Sequence, residues 1–236
     1  MTKPKAKTYI EQLGFFDEDL KTNTHDDILV WAANNLNNIV NHIFWRPWNE
    51  REYKYHISEA QESIRDNIPK YRSNISRYGD DNKRAEILKY LEEWNGIPFE
   101  QLKRSPFYTN GCTWEYPIKN EANRYKSIIG FIDLHFKMEY QSLYVKDIPH
   151  PNSNWDKFEI GSIALTSSWQ SKDVFIEAKT KINSVGELLR QINFYREYAK
   201  GNYIVISPDD RYEKTLNEQG VAFVKAFHSF EPVKPT

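Results

Sequence analysis

Polar side chains of a few types interrupt apolar segments in the second half of the chain. Asp133 stands in one apolar run, and Glu177 and Lys179 stand in another. Gln191 and Tyr195 follow, four residues apart. Carboxylates hold Mg²⁺ together with water and substrate phosphate. A bound ion activates a water molecule and polarises a phosphoryl oxygen, and a lysine can stabilise the developing charge. This order of groups predicts metal-dependent hydrolysis of a phosphodiester.

The alternation of side chains along a strand predicts which candidate residues share a face of the sheet. Because strand side chains alternate, Glu177 and Lys179 point the same way, and Ile176 and Ala178 point into the core. If the strand of Asp133 is a neighbour, its carboxylate and Glu177 reach one cation. The same alternation on that strand predicts one face with Phe131, Asp133 and His135 and the other with Ile132, Leu134 and Phe136.

A helix is predicted to follow the Glu177 strand. Ser184 and Glu187 have the form of a capping box, and the helix runs to about Lys200. Its buried stripe consists of Val185, Leu188, Leu189, Ile192 and Ala199. Gln191 and Tyr195 lie at the edge of this stripe as neighbours one turn apart. We expect one to bond a metal-bound water or phosphate and the other to contact a nucleic-acid backbone.

The surrounding pattern predicts an α/β fold. Apolar residues at helical spacing indicate three N-terminal helices. The first begins near Thr24 and ends before Pro47, the second begins near Ser58 and breaks at Pro69, and the third covers 84–94. From Thr113 the order is β-β-β-α-β-α-β, which is typical of a mixed sheet flanked by helices. Residues 1–106 are expected to form a helical arm or lid packed on a core of 107–236, with an insertion at about 137–172.

Bulk composition narrows the class of protein. The formal net charge of −1 argues against a protein that coats nucleic acid, although a local basic groove remains compatible. The only cysteine, Cys112, excludes an intramolecular disulfide framework and a thiolate zinc cluster, and fits a cytoplasmic location. No apolar run reaches the roughly 18 residues of a membrane helix, so no membrane partner is expected.

The ordered motifs resemble those of the PD-(D/E)xK nuclease superfamily, in its RecB-like branch. They are Gly130-Phe131-Ile132-Asp133, Glu177-Ala178-Lys179 and Gln191-Ile192-Asn193-Phe194-Tyr195. The resemblance covers about 113–227, and the sequence departs from the pattern in having no proline before Asp133. It implies a restriction-endonuclease-like sheet in which Asp133, Glu177 and the Ala178 carbonyl ligate the metal. Lys179 would be the catalytic lysine, with Gln191 and Tyr195 assisting.

The resulting expectation is a Mg²⁺-dependent nuclease, with Mn²⁺ as a substitute, that cuts DNA rather than RNA by an endonucleolytic reaction in defence or DNA processing. A homodimer would suit paired cuts on two strands. The alternative is a catalytically degenerate nuclease fold that binds nucleic acid or serves as a scaffold. A third reading makes Lys179 an amine nucleophile in a small-molecule enzyme.

Other polar residues compete for roles. Asp156 or Glu159 are alternatives to Asp133 as the first acid, but Asp133 is preferred because an unpaired carboxylate in an apolar strand is costly. Glu115 is a candidate extra acid. His25, before two aspartates, indicates a helix start rather than a metal site, and His135 indicates a hydrogen-bonded neighbour rather than a base.

Overall fold

The computed structural model describes residues 23–76, 81–96, 103–122 and 126–231. Helices α1 to α6 span Asn23–Asn34, Leu36–Phe44, Glu50–Ile75, Asp81–Glu93, Val185–Tyr198 and Glu213–Glu218. Strands β1 to β6 span Tyr108–Thr109, Thr113–Lys119, Ile128–Lys146, Ala164–Ala178, Asn202–Ser207 and Ala222–Lys225. A short 3₁₀ helix covers Trp155–Lys157.

The six strands form one mixed sheet. Its order is β1-β3-β4-β5-β6, and β2 also pairs with β3. Strands β1 and β2 are antiparallel to β3, whereas β4, β5 and β6 run parallel. The α/β class is confirmed, as is the predicted order of elements after Thr113.

The chain divides into two compact units. One contains the described residues up to Trp45, with 106–140 and 171–231. The other contains the described residues of Arg46–Ser105 and Gln141–Gln170. The predicted helical region 1–106 is therefore divided between the two units. Helices α1 and α2 belong to the unit that contains most of the sheet, and α3 and α4 belong to the unit that contains the long ends of β3 and β4.

In the first unit, both sheet faces carry apolar residues, as expected for a buried parallel sheet. One set of alternate residues packs with α1 and α2, and it includes Val174, Ile176, Ala178, Ile204 and Ile206. The other set packs with α5 and α6, and it includes Phe175, Tyr203, Val205 and Phe223.

In the second unit, α3 and α4 pack with the ribbon formed by the ends of β3 and β4. The shared core includes Ile57, Ile64, Tyr71, Leu91, Leu143 and Leu165. Trp48 belongs to this core at 8% exposure. Its indole therefore packs in the core and has no open ring face to stack on a nucleic-acid base.

Two helix predictions are corrected by tertiary packing. Pro69 does not break its helix but lies inside α3. A proline removes one helical hydrogen bond, and the burial of Ile64 and Tyr71 on either side of it offsets that cost. The helix also starts earlier than Ser58, at a capping box formed by Asn49 and Glu52.

The first predicted helix is interrupted. Its interruption falls at Asn35, whose φ and ψ of −120° and 16° are not helical. The Asn35 side chain donates a hydrogen bond to the Trp31 carbonyl at 2.9 Å, which offers the backbone an alternative to a continued helix. The two pieces, α1 and α2, end before Pro47 as predicted.

The predicted insertion at 137–172 is mostly strand. Strand β3 continues to Lys146 and β4 begins at Ala164. The residue types over 158–169, rich in Ile, Thr and Ser, favour a strand, and only the second half of that segment is one. The described helices include none that is both long and apolar enough to cross a membrane.

Candidate active site

The candidate site lies where β4 ends beside β3. Strand β4 ends at Ala178, and the Lys179 amide donates to the Ile206 carbonyl of β5 at 2.9 Å. From β3, Asp133 accepts a hydrogen bond from the Ala178 amide through Oδ2 at 2.7 Å. The Asp133 carboxylate thus lies against the backbone of the Glu-x-Lys motif. The structure places the two predicted acids on hydrogen-bonded strands, as the sequence pattern required.

Glu177 is the centre of a buried polar network. Its Oε1 accepts from Lys179 Nζ at 2.9 Å and from Gln191 Nε2 at 3.2 Å. The exposed fractions of the Glu177 and Lys179 side chains are only 5% and 10%. Their shared direction confirms the predicted alternation on β4. In this low-dielectric setting the ammonium group compensates the carboxylate charge, and neither group is an ordinary surface ion.

Tyr195 is fully buried, at 0% exposure. Its hydroxyl accepts from Gln191 Nε2 at 3.4 Å. Burial and the nearby Glu177 charge raise the pKa of Tyr195 above its usual range, so the phenol stays neutral. The sequence left open which of Gln191 and Tyr195 contacts a nucleic-acid backbone, and the burial of Tyr195 leaves that residue no open surface for such a contact. Its role is to hold Gln191, which in turn contacts Glu177.

Gly130 provides the space for Tyr195. A Cβ at Gly130 would lie 2.5 Å from both Cε1 and the hydroxyl oxygen of Tyr195. Such a contact is well inside van der Waals distance. The Gly-x-x-Asp and Gln-x-x-x-Tyr motifs therefore meet in space, and the glycine of the first motif is a packing requirement of the second.

Strand β3 changes its facing at Asp133. Ile132 belongs to the cluster under α5, whereas Leu134 and Phe136 belong to the cluster under α1 and α2. The predicted face shared by Ile132, Leu134 and Phe136 is therefore wrong. On β2, Glu115 lies between the residues paired with Leu134 and Ile132, so it comes opposite Asp133, and its φ is positive at 45°.

His25 is a site residue that the sequence reasoning assigned only to a helix start. It is 3% exposed, and its Nε2 lies 3.6 Å from Asp133 Oδ2. The sequence contained a signal for this burial. His25 lies three residues before Ile28 on the apolar stripe of α1, and a polar residue on such a stripe faces the core. The predicted helix itself is confirmed, since His25 lies in α1.

The remaining candidates fall outside this network. His135 bonds Asp173 through Nε2 at 2.8 Å and stacks on Phe175, which fits the predicted hydrogen-bonded neighbour. Glu115 and Glu159 are exposed. The side chain of Asp156 lies outside the described part of the structure.

The donor set fits a hard divalent cation. Mg²⁺ takes oxygen ligands, commonly one or two carboxylates completed by water and substrate phosphate. Asp133 and Glu177 supply two carboxylates from adjacent strands, and the Ala178 carbonyl belongs to the residue between Glu177 and Lys179. Within the described residues, no three His, Cys, Asp or Glu side chains group as a metal centre. A hydrated site that also uses the backbone is therefore the arrangement these residues can support.

The chain was compared with known proteins. No protein-family model, no curated protein and no solved structure matches it.

Proposed function

We propose that the protein is a metal-dependent nuclease that hydrolyses DNA phosphodiester bonds. One observation carries the proposal, namely the convergence of Lys179 and Gln191 on one oxygen of Glu177 at 2.9 and 3.2 Å, with Asp133 bonded to the intervening Ala178 amide. A structural ion pair would need only Glu177 and Lys179. The additional carboxylate and amide fit a site that handles a phosphate and a cation together.

The chain's own residues have separate tasks. Asp133 and Glu177 would hold Mg²⁺, which supplies an activated water and a polarised phosphoryl oxygen when bound. Lys179 would neutralise the charge that develops on the phosphate. Gln191 fixes the direction of the Glu177 carboxylate, and Tyr195 fixes Gln191 by hydrogen bonding and packing.

The proposed substrate is DNA, which the protein would cut internally. The proposed biological role is defence or DNA processing. The RecB-like motif resemblance supports this choice. The net charge of −1 argues against extensive electrostatic coating of nucleic acid, so we propose that binding is confined to the neighbourhood of the site. A homodimer would allow paired cuts on two strands, and sizing of the protein with and without DNA tests it.

Asp133→Asn tests the site without removing its hydrogen bond. The asparagine oxygen can still accept from the Ala178 amide, while the negative charge needed by a metal is lost. We expect cleavage of supercoiled and circular single-stranded DNA with Mg²⁺ or Mn²⁺, none with EDTA, and a loss of about 10²–10³-fold in the variant. Added Mg²⁺ should raise the melting temperature of the wild type and not that of the variant.

Asp173→Asn is the matched control. Asp173 is also an aspartate of the sheet, but it bonds His135 outside the network. Its variant should retain both cleavage and the Mg²⁺-dependent rise in melting temperature. Equal cleavage by the wild type and Asp133→Asn would refute the assignment of this acid. Cleavage of RNA or of linear ends alone would keep the chemistry and change the substrate.

His25→Gln should reduce metal-dependent cleavage by about 10–100-fold, because a group against a metal ligand orients that ligand. The control is Asp27→Asn, which alters an exposed acid two residues further along the same helix. Rates measured over a range of Mg²⁺ concentrations check this result. A His25→Gln variant with the wild-type rate and metal dependence would leave His25 as a core histidine.

A nucleic-acid-binding protein without catalysis is the second candidate. It is favoured by the hydrogen bonds that Asp133 Oδ2 and Glu177 Oε1 already accept from protein donors. Such a protein would bind DNA in a salt-dependent way but show no cleavage and no Mg²⁺-dependent stabilisation. The same melting and cleavage experiment separates the two.

A further inference from the structure

Two loops at the ends of parallel strands are tied together by Asp209. The loop after β4 carries Lys179, Lys181 and Ile182, and the loop after β5 carries Asp209 and Arg211. Asp209 Oδ2 accepts from the Ile182 amide at 3.2 Å and from Arg211 Nη2 at 2.6 Å. One oxygen atom therefore contacts both loops. This contact places the Arg211 guanidinium beside the residue that follows Lys181.

In the Asp209–Arg211 ion pair, the Arg211 side chain is exposed to solvent and the Asp209 side chain is largely buried. The exposed fraction of the Asp209 side chain is 12%, whereas that of Arg211 is 57%. Arg211 Nε also donates to Asp209 Oδ1 at 2.7 Å, so the guanidinium is held through two atoms in a fixed plane. Among the described residues, Nη1 of Arg211 makes no hydrogen bond, and it is free to donate to another acceptor.

The charge of this pair is fixed. The hydrogen bond from Arg211, aided by the Ile182 amide, holds the pKa of Asp209 well below its usual range. The acid therefore stays ionised and keeps the guanidinium in place, while the exposed side of the cation faces solvent. Lys181, one residue before the Ile182 contact, is exposed as well.

The location of this pair connects it with the candidate site. Ligands of open α/β sheets bind outside the carboxyl ends of parallel strands. Glu177 and Lys179 stand at that end of β4, and the Lys179 amide bonds the Ile206 carbonyl one residue before β5 ends. Asp209 and Arg211 follow the carboxyl end of β5, which lies beside that end of β4. A nucleic acid whose scissile phosphate lies at Glu177 must pass along this edge.

We propose that Arg211, with Lys181, binds a backbone phosphate of the nucleic acid next to the hydrolysed one, and that Asp209 positions Arg211. This inference rests on the proposed function for its substrate class, but its geometry is independent of metal binding. Guanidinium groups suit phosphates because their N–H donors match two phosphate oxygens. A backbone contact of this kind gives affinity and register without base specificity.

Arg211→Gln tests the phosphate contact against Lys172→Gln as a matched control. Lys172 is an exposed cation on β4, five residues before Glu177 and away from the carboxyl end of the strand. DNA binding in EDTA, measured by fluorescence anisotropy at several salt concentrations, gives the affinity without cleavage. We expect Arg211→Gln to raise Kd by about tenfold and to reduce the salt slope by about 0.9. Lys172→Gln should match the wild type.

Steady-state cleavage separates positioning from chemistry. Arg211→Gln should raise KM and leave kcat at saturating DNA unchanged. Asp209→Asn should raise KM as well, and its effect should vanish in the Arg211→Gln background, because it acts through that side chain. Arg211→Lys should keep the salt slope, since the charge remains, while losing part of the affinity.

The outcomes distinguish the two proposals. Equal Kd and salt slope for wild type and Arg211→Gln would overturn the phosphate contact even if the wild type cuts DNA. DNA binding without cleavage, with the expected change in Arg211→Gln, would support the contact and overturn the nuclease. Failure of the wild type to bind DNA or RNA would overturn both.

Discussion

The Lys179→Ala variant is expected to lose DNA cleavage by about a hundredfold or more and to melt at a lower temperature than the wild type in the absence of metal. The loss of cleavage is expected because the variant lacks the ammonium group that donates to Glu177 Oε1. The lower melting temperature follows from burial, since Glu177 is left at 5% side-chain exposure without its cation. Breaking a buried pair by removing one partner costs about 3–5 kcal/mol.

Metal should rescue the stability of Lys179→Ala and not its activity. A divalent ion at Glu177 and Asp133 would replace the missing positive charge, so Mg²⁺ should raise the melting temperature more in the variant than in the wild type. The double variant Glu177→Gln with Lys179→Met removes both charges and should melt closer to the wild type than the single variant does. Cleavage rates and thermal melts with Mg²⁺ or EDTA measure these effects.

Lys172→Ala controls for the loss of a lysine from the same strand. Its exposed side chain should leave both the rate and the melting temperature unchanged. Wild-type cleavage by Lys179→Ala would remove the lysine from the mechanism. A strong loss of cleavage together with an unchanged melting temperature in EDTA would mean that the ion pair contributes nothing to stability.

Gly130→Ala is expected to destabilise the fold and to reduce cleavage together. The new methyl group would meet the ring of Tyr195 at 2.5 Å, and Tyr195 has no exposed surface into which it can move. Overpacking of this kind costs about 1–3 kcal/mol. A displaced Tyr195 also releases Gln191, and through it the Glu177 carboxylate, so the rate should fall even in molecules that remain folded.

Two comparisons make this prediction specific. In Gly186→Ala the added methyl would lie 4.0 Å from Ser184 Oγ, and it should be neutral or stabilise α5 by up to about 1 kcal/mol. Adding Tyr195→Leu to Gly130→Ala should recover stability relative to the single glycine variant without recovering the rate. Denaturant unfolding and cleavage rates measure both. Additive free-energy changes for the two positions would show that they do not pack against each other.

The predicted effects share one physical origin. Lys179, Gln191 and Tyr195 form a chain of contacts that ends at Glu177, and Gly130 sets the position of that chain from the opposite strand. Each link is buried, so a change at one link has few ways to relax. Exposed groups such as Lys172 and Asp27 stand outside this chain of contacts, and they serve as controls for this reason.

Several features were determined by the sequence alone. The apolar runs around Glu177 and over 202–207 fixed the buried parallel strands, and the period of two fixed the common direction of Glu177 and Lys179. Ser184 fixed the start of α5, with its side chain accepting from the Glu187 amide. These features depend on neighbours within one element, so local chemistry is sufficient to specify them.

Other features were decided only by the tertiary structure. Pro69 stays within a helix whose residues on either side of it are buried, and Ile132 and Leu134 pack into different apolar clusters although the strand period predicted one shared face. The contacts of His25 with Asp133, and of Arg211 with the loop of Ile182, join residues far apart in the chain. Such contacts depend on which strands become neighbours and how they end, and packing between elements, rather than the periodicity of any one segment, supplies that information.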